Sequence, residues 1–268
     1  MATVAKPLVD SGLPGHRPSP AARAIDRWIY VFMAGWFTVI VLVGFIPDWL
    51  TSVSAIKAGQ SQPFTPIMPL HASLMVAWLV LLLSQAILMA TGRGGGHQRL
   101  GKIAFALVPA MAMTMLVAIA ASYRAGWHFA QSAPPHIREA QLNFLNHSSG
   151  ALLGPLQGAL LFPVFVFIAL RARRTSPGLH KRMMFLATAA LLPAALVRMT
   201  WLPNFPFAFS IYLIAALLPM LLWDVIRTKS VPKAYLIWLS IWGPAEVVVF
   251  ALGGQPWLDA AIPRLMGV

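Results

Sequence analysis

Long apolar runs separated by short polar clusters dominate the chain. Five such runs are bounded on both sides by polar or turn-forming residues, and they cover residues 28–47, about 67–91, 103–123, about 148–170 and 234–252. A helix needs about 20 mainly apolar residues to cross the hydrocarbon core of a bilayer. Each run therefore predicts one transmembrane helix.

A sixth apolar stretch, residues 183–223, is too long for one crossing and contains a single charged residue, Arg198. Pro203 and Pro206 divide it, because proline cannot continue a regular helix. The pattern predicts a fifth and a sixth span here and about seven in all. We expect an all-α integral membrane protein with a membrane domain at 28–252, a polar tail at 1–27 and an outer C-terminal tail at 253–268.

The composition supports this interpretation and gives the domain an orientation. Of the 268 residues, 59% are hydrophobic and only 10% are charged, which excludes an ordinary soluble enzyme. Fifteen of the 20 Lys and Arg residues lie in the N-terminal tail and in alternate loops, and five lie on the opposite side. By the positive-inside rule the N-terminus is cytoplasmic. The net charge of +13 is thus a topology signal, and we expect no nucleic-acid partner.

The chain contains no cysteine, which limits its possible metal chemistry. Thiolate zinc sites, iron–sulfur clusters and covalent Cys-x-x-Cys-His haem attachment are excluded. A metal must therefore be held by His, Met or carboxylate groups. Met111 and Met115 share a helix face and leave copper as a minor alternative.

Two segments of the chain resemble each other. The motif His97-Gln-Arg-Leu-Gly-Lys opens the third span, and His180-Lys-Arg-Met-Met-Phe opens the fifth. Upstream of them, His71-Ala-Ser opens the second span and His147-Ser-Ser opens the fourth. The pattern predicts a parallel repeat of two helices, with units 67–123 and 147–202, related by a pseudo-two-fold axis along the membrane normal.

The repeat places the four histidines in two layers. His71 and His147 occupy matching positions near the outer face, and His97 and His180 occupy matching positions near the inner face. Two imidazoles facing each other across an axis suit the two axial positions of a haem iron. One helical crossing separates the layers by most of the bilayer, so the pattern predicts two sites.

The motifs around these histidines resemble those of transmembrane di-haem cytochromes b of the ascorbate-reductase type and related bacterial membrane proteins. The stretch from Leu70-His71-Ala to Trp78, with Gln85 after it, is similar to their first ligand helix, and His97-Gln-Arg-Leu-Gly is similar to the opening of the next. The resemblance covers about residues 67–205. It implies non-covalent haem b at one or two sites, electron transfer between a small-molecule or protein donor and acceptor, and a bacterial inner membrane.

In that interpretation the iron ligands form two pairs, His71 with His147 and His97 with His180. Three arginines neutralise the haem propionates: Arg99, Arg182 and Arg198. The same side chains also fit simpler roles. The histidines and arginines could be interfacial anchors, and Arg198 could pair with Glu246 of the last span.

The alternative function is a cofactor-free accessory or assembly subunit of a larger membrane complex, docking through its basic loops and the outer segment 124–147. A small-molecule transporter is a third hypothesis, and the sequence leaves open whether the protein is a transmembrane oxidoreductase.

Overall fold

The computed structural model describes residues 19–205 and 207–268, and this part of the chain is helical without any β-strand. The predicted fold class, an all-α membrane protein, is confirmed. The helices are α1 (Pro20–Lys57), α2 (Ile67–Ala90), α3 (Gly94–Leu100), α4 (Ala104–Ser132), α5 (Pro135–Asn146), α6 (Ser149–Ala172), α7 (Pro177–Ala189), α8 (Pro193–Leu196), α9 (Ala208–Thr228), α10 (Lys233–Leu252) and α11 (Pro256–Met266).

Six helical segments of the described chain are long and apolar enough to cross a membrane. They are α1, α2, the continuous segment formed by α3 and α4, α6, α9 and α10. Large apolar side chains cover their outward faces, as at Phe167 and Val247, each more than 60% exposed. Such a surface is stable in lipid and would aggregate in water, so the bilayer is the partner of this face.

The predicted fifth span is helical, but it is broken rather than continuous. Helix α7 ends at Ala189, and α8 begins at Pro193. Because Pro193 has no N–H, the chain tightens into three-residue turns around it: the Leu192 amide bonds to Ala189 and the Ala195 amide bonds to Leu192. Of the seven predicted crossings, the fifth is therefore an interrupted helix, and the other six correspond to the six long helical segments.

Helix α1 is longer than the sequence predicted. The first span was expected at 28–47, with a polar tail before it, yet the helix runs from Pro20 through Pro47 to Lys57. One internal proline removes a single hydrogen bond, which a helix packed against neighbours tolerates. At about 1.5 Å per residue its length is roughly 57 Å, more than the bilayer thickness. Residues 1–18 of the predicted tail lie outside the described residues.

The segments predicted as loops at both ends of α4 are also helical. The glycines at 94–96, between the second and third apolar runs, begin α3, and the turn is confined to Thr91–Arg93. On the opposite side α4 continues to Ser132 and is followed by α5, so the segment 124–147 forms a helical hairpin. The predicted C-terminal tail contains α11. In all three segments the structure therefore shows helices where the sequence predicted loops or a tail.

The core lies between α2, α4, α6 and α7, with α1, α9 and α10 packed around them. At its centre the Trp78 ring meets the Phe162 ring edge-on, with centroids 4.9 Å apart. The Trp78 indole N–H donates to the Thr188 hydroxyl at 3.1 Å. These fully buried groups fix α2, α6 and α7 against one another and separate the inner histidines from the outer ones.

Candidate functional site

The inner layer brings two of the predicted ligands together. His97, in α3, and His180, in the first turn of α7, have ring centroids 6.4 Å apart, and their planes are nearly perpendicular at 81°. Metal–nitrogen bonds of about 2 Å on each side would place two collinear imidazole centroids roughly 6.4 Å apart. The separation is therefore compatible with two imidazoles that share one metal ion.

Unpaired polar atoms surround this histidine pair. The Nδ1 atom of His97 is buried without a hydrogen-bond partner, and so are both amide atoms of Gln85 in α2. The Gln85 amide nitrogen also faces Gly101, where an added Cβ would approach it to 3.5 Å. Buried polar groups are normally satisfied, so unpaired ones close to a histidine pair indicate a place for a ligand or for water.

His180 is held in one orientation by the backbone. Its Nδ1 lies 2.8 Å from the Ala169 carbonyl oxygen in α6, which can only accept, so Nδ1 carries the proton. The lone pair is then on Nε2, the nitrogen available to a metal. Orientation of a ligating histidine by a carbonyl is a common arrangement around metal centres.

The outer histidine His71 is oriented in the same way. Its Nδ1 lies 3.0 Å from the Thr114 hydroxyl oxygen of α4. That hydroxyl already lies within donating distance of the Ala110 and Met111 carbonyls, at 2.8 and 3.1 Å. The hydroxyl therefore accepts from the histidine, and His71 presents a free Nε2.

His147 lies between α5 and α6 and is exposed. Its Nδ1 donates to the Asn143 carbonyl oxygen at 2.8 Å, which again leaves Nε2 free. Among the ring contacts of residues 19–205 and 207–268, none joins His147 to His71. The outer pair thus stays a prediction, although both rings present the nitrogen it requires.

Arg182, expected near a propionate, is instead part of a buried ion pair. Its guanidinium donates to both oxygens of Asp224 in α9, at 2.6 and 2.8 Å, and the Tyr235 hydroxyl donates to the same carboxylate at 2.7 Å. Arg227, three residues further along α9, pairs with Asp26 of α1 at 2.9 Å. A propionate role for Arg182 would require Asp224 to be displaced.

Arg198 does not pair with Glu246, and that alternative is wrong. Its guanidinium donates to Asp48 of α1 at 3.1 Å and lies 4.4 Å from the Phe45 ring centroid. The Asp48 carboxylate, which follows Pro47 within α1, pairs with this positive charge. Arg99 in α3 is exposed, and its side chain makes no hydrogen bond or ion pair with the described residues.

The donor set limits the kind of cofactor that could bind. Within the described residues no group of three or more His, Cys, Asp or Glu side chains could hold a metal ion. A haem iron needs only axial ligands from the protein, because the macrocycle occupies the other positions. The residues at the inner pair, with two imidazoles and the unpaired Gln85 amide, fit a haem better than they fit a free metal ion.

No family model, curated protein or solved structure matches this chain. The likeness to di-haem cytochromes b therefore rests on the motifs of the chain itself.

Two residues of the inner region were not identified as important from the sequence. Gln85 was quoted only as part of a motif, although a glutamine within an apolar run of α2 is itself a signal. The sequence does not connect Asp224 with Arg182, because the two residues are 42 positions apart in the chain. No local pattern connects such a pair.

Proposed function

We propose that the protein is a membrane electron-transfer protein of the cytochrome b kind, with an inner haem b held between His97 and His180. The observation that carries this proposal is the 6.4 Å separation of the two imidazole rings on different helices. The unpaired His97 and Gln85 atoms beside them support it, because a bound group would supply the missing partners.

Each residue of the inner site has a definite role in this proposal. His97 and His180 would hold the haem through imidazole nitrogens, and the hydrogen bond from the His180 Nδ1 to the Ala169 carbonyl leaves the Nε2 lone pair of His180 available. Haem supplies reversible one-electron chemistry when it is bound. The Gln85 amide offers a hydrogen bond within the site, and exposed Arg99 in the same helix as His97 offers positive charge to a propionate.

A second haem at the outer layer belongs to the same proposal. His71 and His147 each have Nδ1 bonded to an oxygen, so each offers Nε2 as a ligand. With both sites, electrons would pass from a donor on one face to an acceptor on the other. The donor and acceptor would be small molecules or proteins that reach the two faces of the bilayer.

The absorption spectrum of the detergent-purified protein, oxidised and then reduced with dithionite, tests the proposal. Low-spin bis-His haem would give a sharp Soret band and split visible bands after reduction. His180→Ala should remove the inner haem, while His128→Ala, at an exposed position of α4, should leave the spectrum unchanged. His71→Ala should halve the iron content if both layers bind haem.

Two results would contradict the proposal. A folded protein that stays colourless when it is produced with haem available would leave the accessory-subunit alternative, in which the histidines are interfacial anchors. A His180→Ala variant that keeps the full wild-type haem content would remove the assignment of the inner ligands.

A further inference from the structure

A cavity of about 430 Å³ opens at the end of the molecule opposite the basic loop between α9 and α10. Its wall is formed by the start of α9, the final turns of α10 and the chain before α9. The volume is within the range of small-molecule binding sites, about 300–1,000 Å³. The cavity lies apart from the inner histidines, because His180 is near the opposite end of the helical bundle.

One carboxylate lines the cavity without a positive partner. Glu246 of α10 is half-buried in a membrane-spanning helix, and its Oε1 accepts a hydrogen bond from the buried Ser210 hydroxyl at 2.7 Å. The hydroxyl supplies no positive charge. Among the described residues no Lys, Arg or His forms an ion pair with Glu246. An acidic residue in such a place is costly and is usually paired or functional.

Four phenylalanines line the cavity together with Glu246: Phe205, Phe207, Phe209 and Phe250. Phe207 has a left-handed backbone, with φ of 61°, which is strained for a bulky residue. Its ring stacks on Phe250 with centroids 4.4 Å apart and planes 27° from parallel. The stacking fixes these two rings at the cavity, and the face of each ring that points away from the other remains open.

We propose that this cavity binds a methylated ammonium group. Ring faces attract cations, and several rings with one carboxylate form the type of site that recognises quaternary ammonium. A primary ammonium needs several hydrogen-bond acceptors, whereas phenyl rings provide none. An anionic ligand would be repelled by Glu246, and a purely apolar ligand would leave that charge uncompensated.

The ammonium group could belong to a free small molecule or to the choline headgroup of a lipid. Both present the same trimethylammonium chemistry. The cavity is open, and the side chains of Phe207 and Phe250 at its rim are exposed, so either source has access. The test below separates them.

Binding of radiolabelled choline to the full-length protein in dodecyl maltoside is the first measurement. We expect saturable binding that the neutral isostere 3,3-dimethylbutan-1-ol displaces poorly. Glu246→Gln should weaken binding at least tenfold, and Phe250→Leu should weaken it about two- to tenfold through the loss of one ring face. The control Glu139→Gln, at an exposed position of α5, should bind as the wild type does.

Lipid nanodiscs distinguish the second source. If free choline does not bind, the protein is moved from discs of mixed phosphatidylcholine and phosphatidylglycerol into detergent, and the lipid that remains bound is measured by mass spectrometry. The wild-type protein should then retain more phosphatidylcholine than the Glu246→Gln or Phe250→Leu variant. The proposal is overturned if neither choline nor phosphatidylcholine is retained above the level of these variants. It is also overturned if the neutral isostere competes as well as choline does. None of these readouts depends on haem.

Discussion

At the scale of single residues, the ion pair of Arg182 with Asp224 is the most consequential contact in the inner half of the protein. Both side chains are largely removed from solvent, with 15% and 7% of their surfaces exposed. The carboxylate accepts three hydrogen bonds, two from Arg182 and one from Tyr235. Removing one charge of such a pair leaves the other buried without compensation.

Asp224→Asn should therefore destabilise the protein strongly. We expect a loss of about 3–5 kcal/mol in the free energy of unfolding, because Arg182 keeps its charge in a buried position. Thermal unfolding in detergent, followed by size-exclusion fluorescence, measures the effect. Asp48→Asn is the control: its pair with Arg198 is much more exposed, so we expect about 1 kcal/mol or less. Equal losses in the two variants would contradict this account.

The sequence pointed to His97, His180 and Arg182 in the inner region but not to the partner of Arg182. The repeat pointed to His97 and His180, whose rings the structure brings together. Local patterns could not pair Arg182 with Asp224 or Arg198 with Asp48, since these contacts depend on how distant helices pack. These ion pairs could not be predicted because their partners are far apart in the chain, although the charges themselves are evident from the sequence.

At the scale of helices, the backbones of α1 and of the broken helix approach each other closely. Gly44 is buried against α8, where an added Cβ would lie 2.3 Å from the Ala195 carbonyl oxygen. That oxygen belongs to the main chain and cannot rotate away. The glycine thus lets α1 dock onto α8 directly after the interruption between α7 and α8.

Gly44→Ala should separate these helices and destabilise the protein by about 1–3 kcal/mol. Gly35→Ala in the same helix is a matched control, because its added Cβ would meet nothing within 4 Å. Alanine is the better helix former, so this control should be neutral or stabilising by up to about 1 kcal/mol. Unfolding temperatures of both variants decide the matter. A Gly44→Ala variant as stable as Gly35→Ala would show that α1 and α8 are not in contact.

Helix existence was predictable from hydrophobicity, while helix ends and interruptions were not. Apolar runs correctly located α2, α6 and α10 to within about two residues. They failed at Pro193, because an apolar segment with one proline is compatible with a kink or with a break. They also missed α5 and α11, whose mixed polar and apolar surfaces are typical of helices at an interface.

At the scale of the whole molecule, the distribution of basic residues predicts how the domain is oriented. The loop between α9 and α10 carries Lys229 and Lys233, whereas Glu139 lies in the hairpin at the opposite end. The positive-inside rule assigns the first to the cytoplasm and the second to the outside. The six long helices define a membrane domain, but their length and composition alone do not show which end faces the cytoplasm.

The lack of cysteine makes this orientation directly measurable. Single variants Lys229→Cys and Glu139→Cys would each carry the only thiol of the chain, at an exposed position. A membrane-impermeant maleimide should label Glu139→Cys in intact spheroplasts and should label Lys229→Cys only after permeabilisation. The opposite labelling pattern would reverse the predicted topology.

The C-terminal helix has a consequence for how the protein is made. Asp259 in α11 accepts the Ser149 amide at the start of α6, at 2.9 Å, and Arg124 of α4 bonds to the Met266 carbonyl near the chain end. Asp259 follows Ser149 by 110 residues in the chain. The start of α6 therefore lacks this cap until α11 has been synthesised, after α6, α9 and α10 have all left the ribosome. Assembly of this face of the protein is thus a step that follows insertion of those helices.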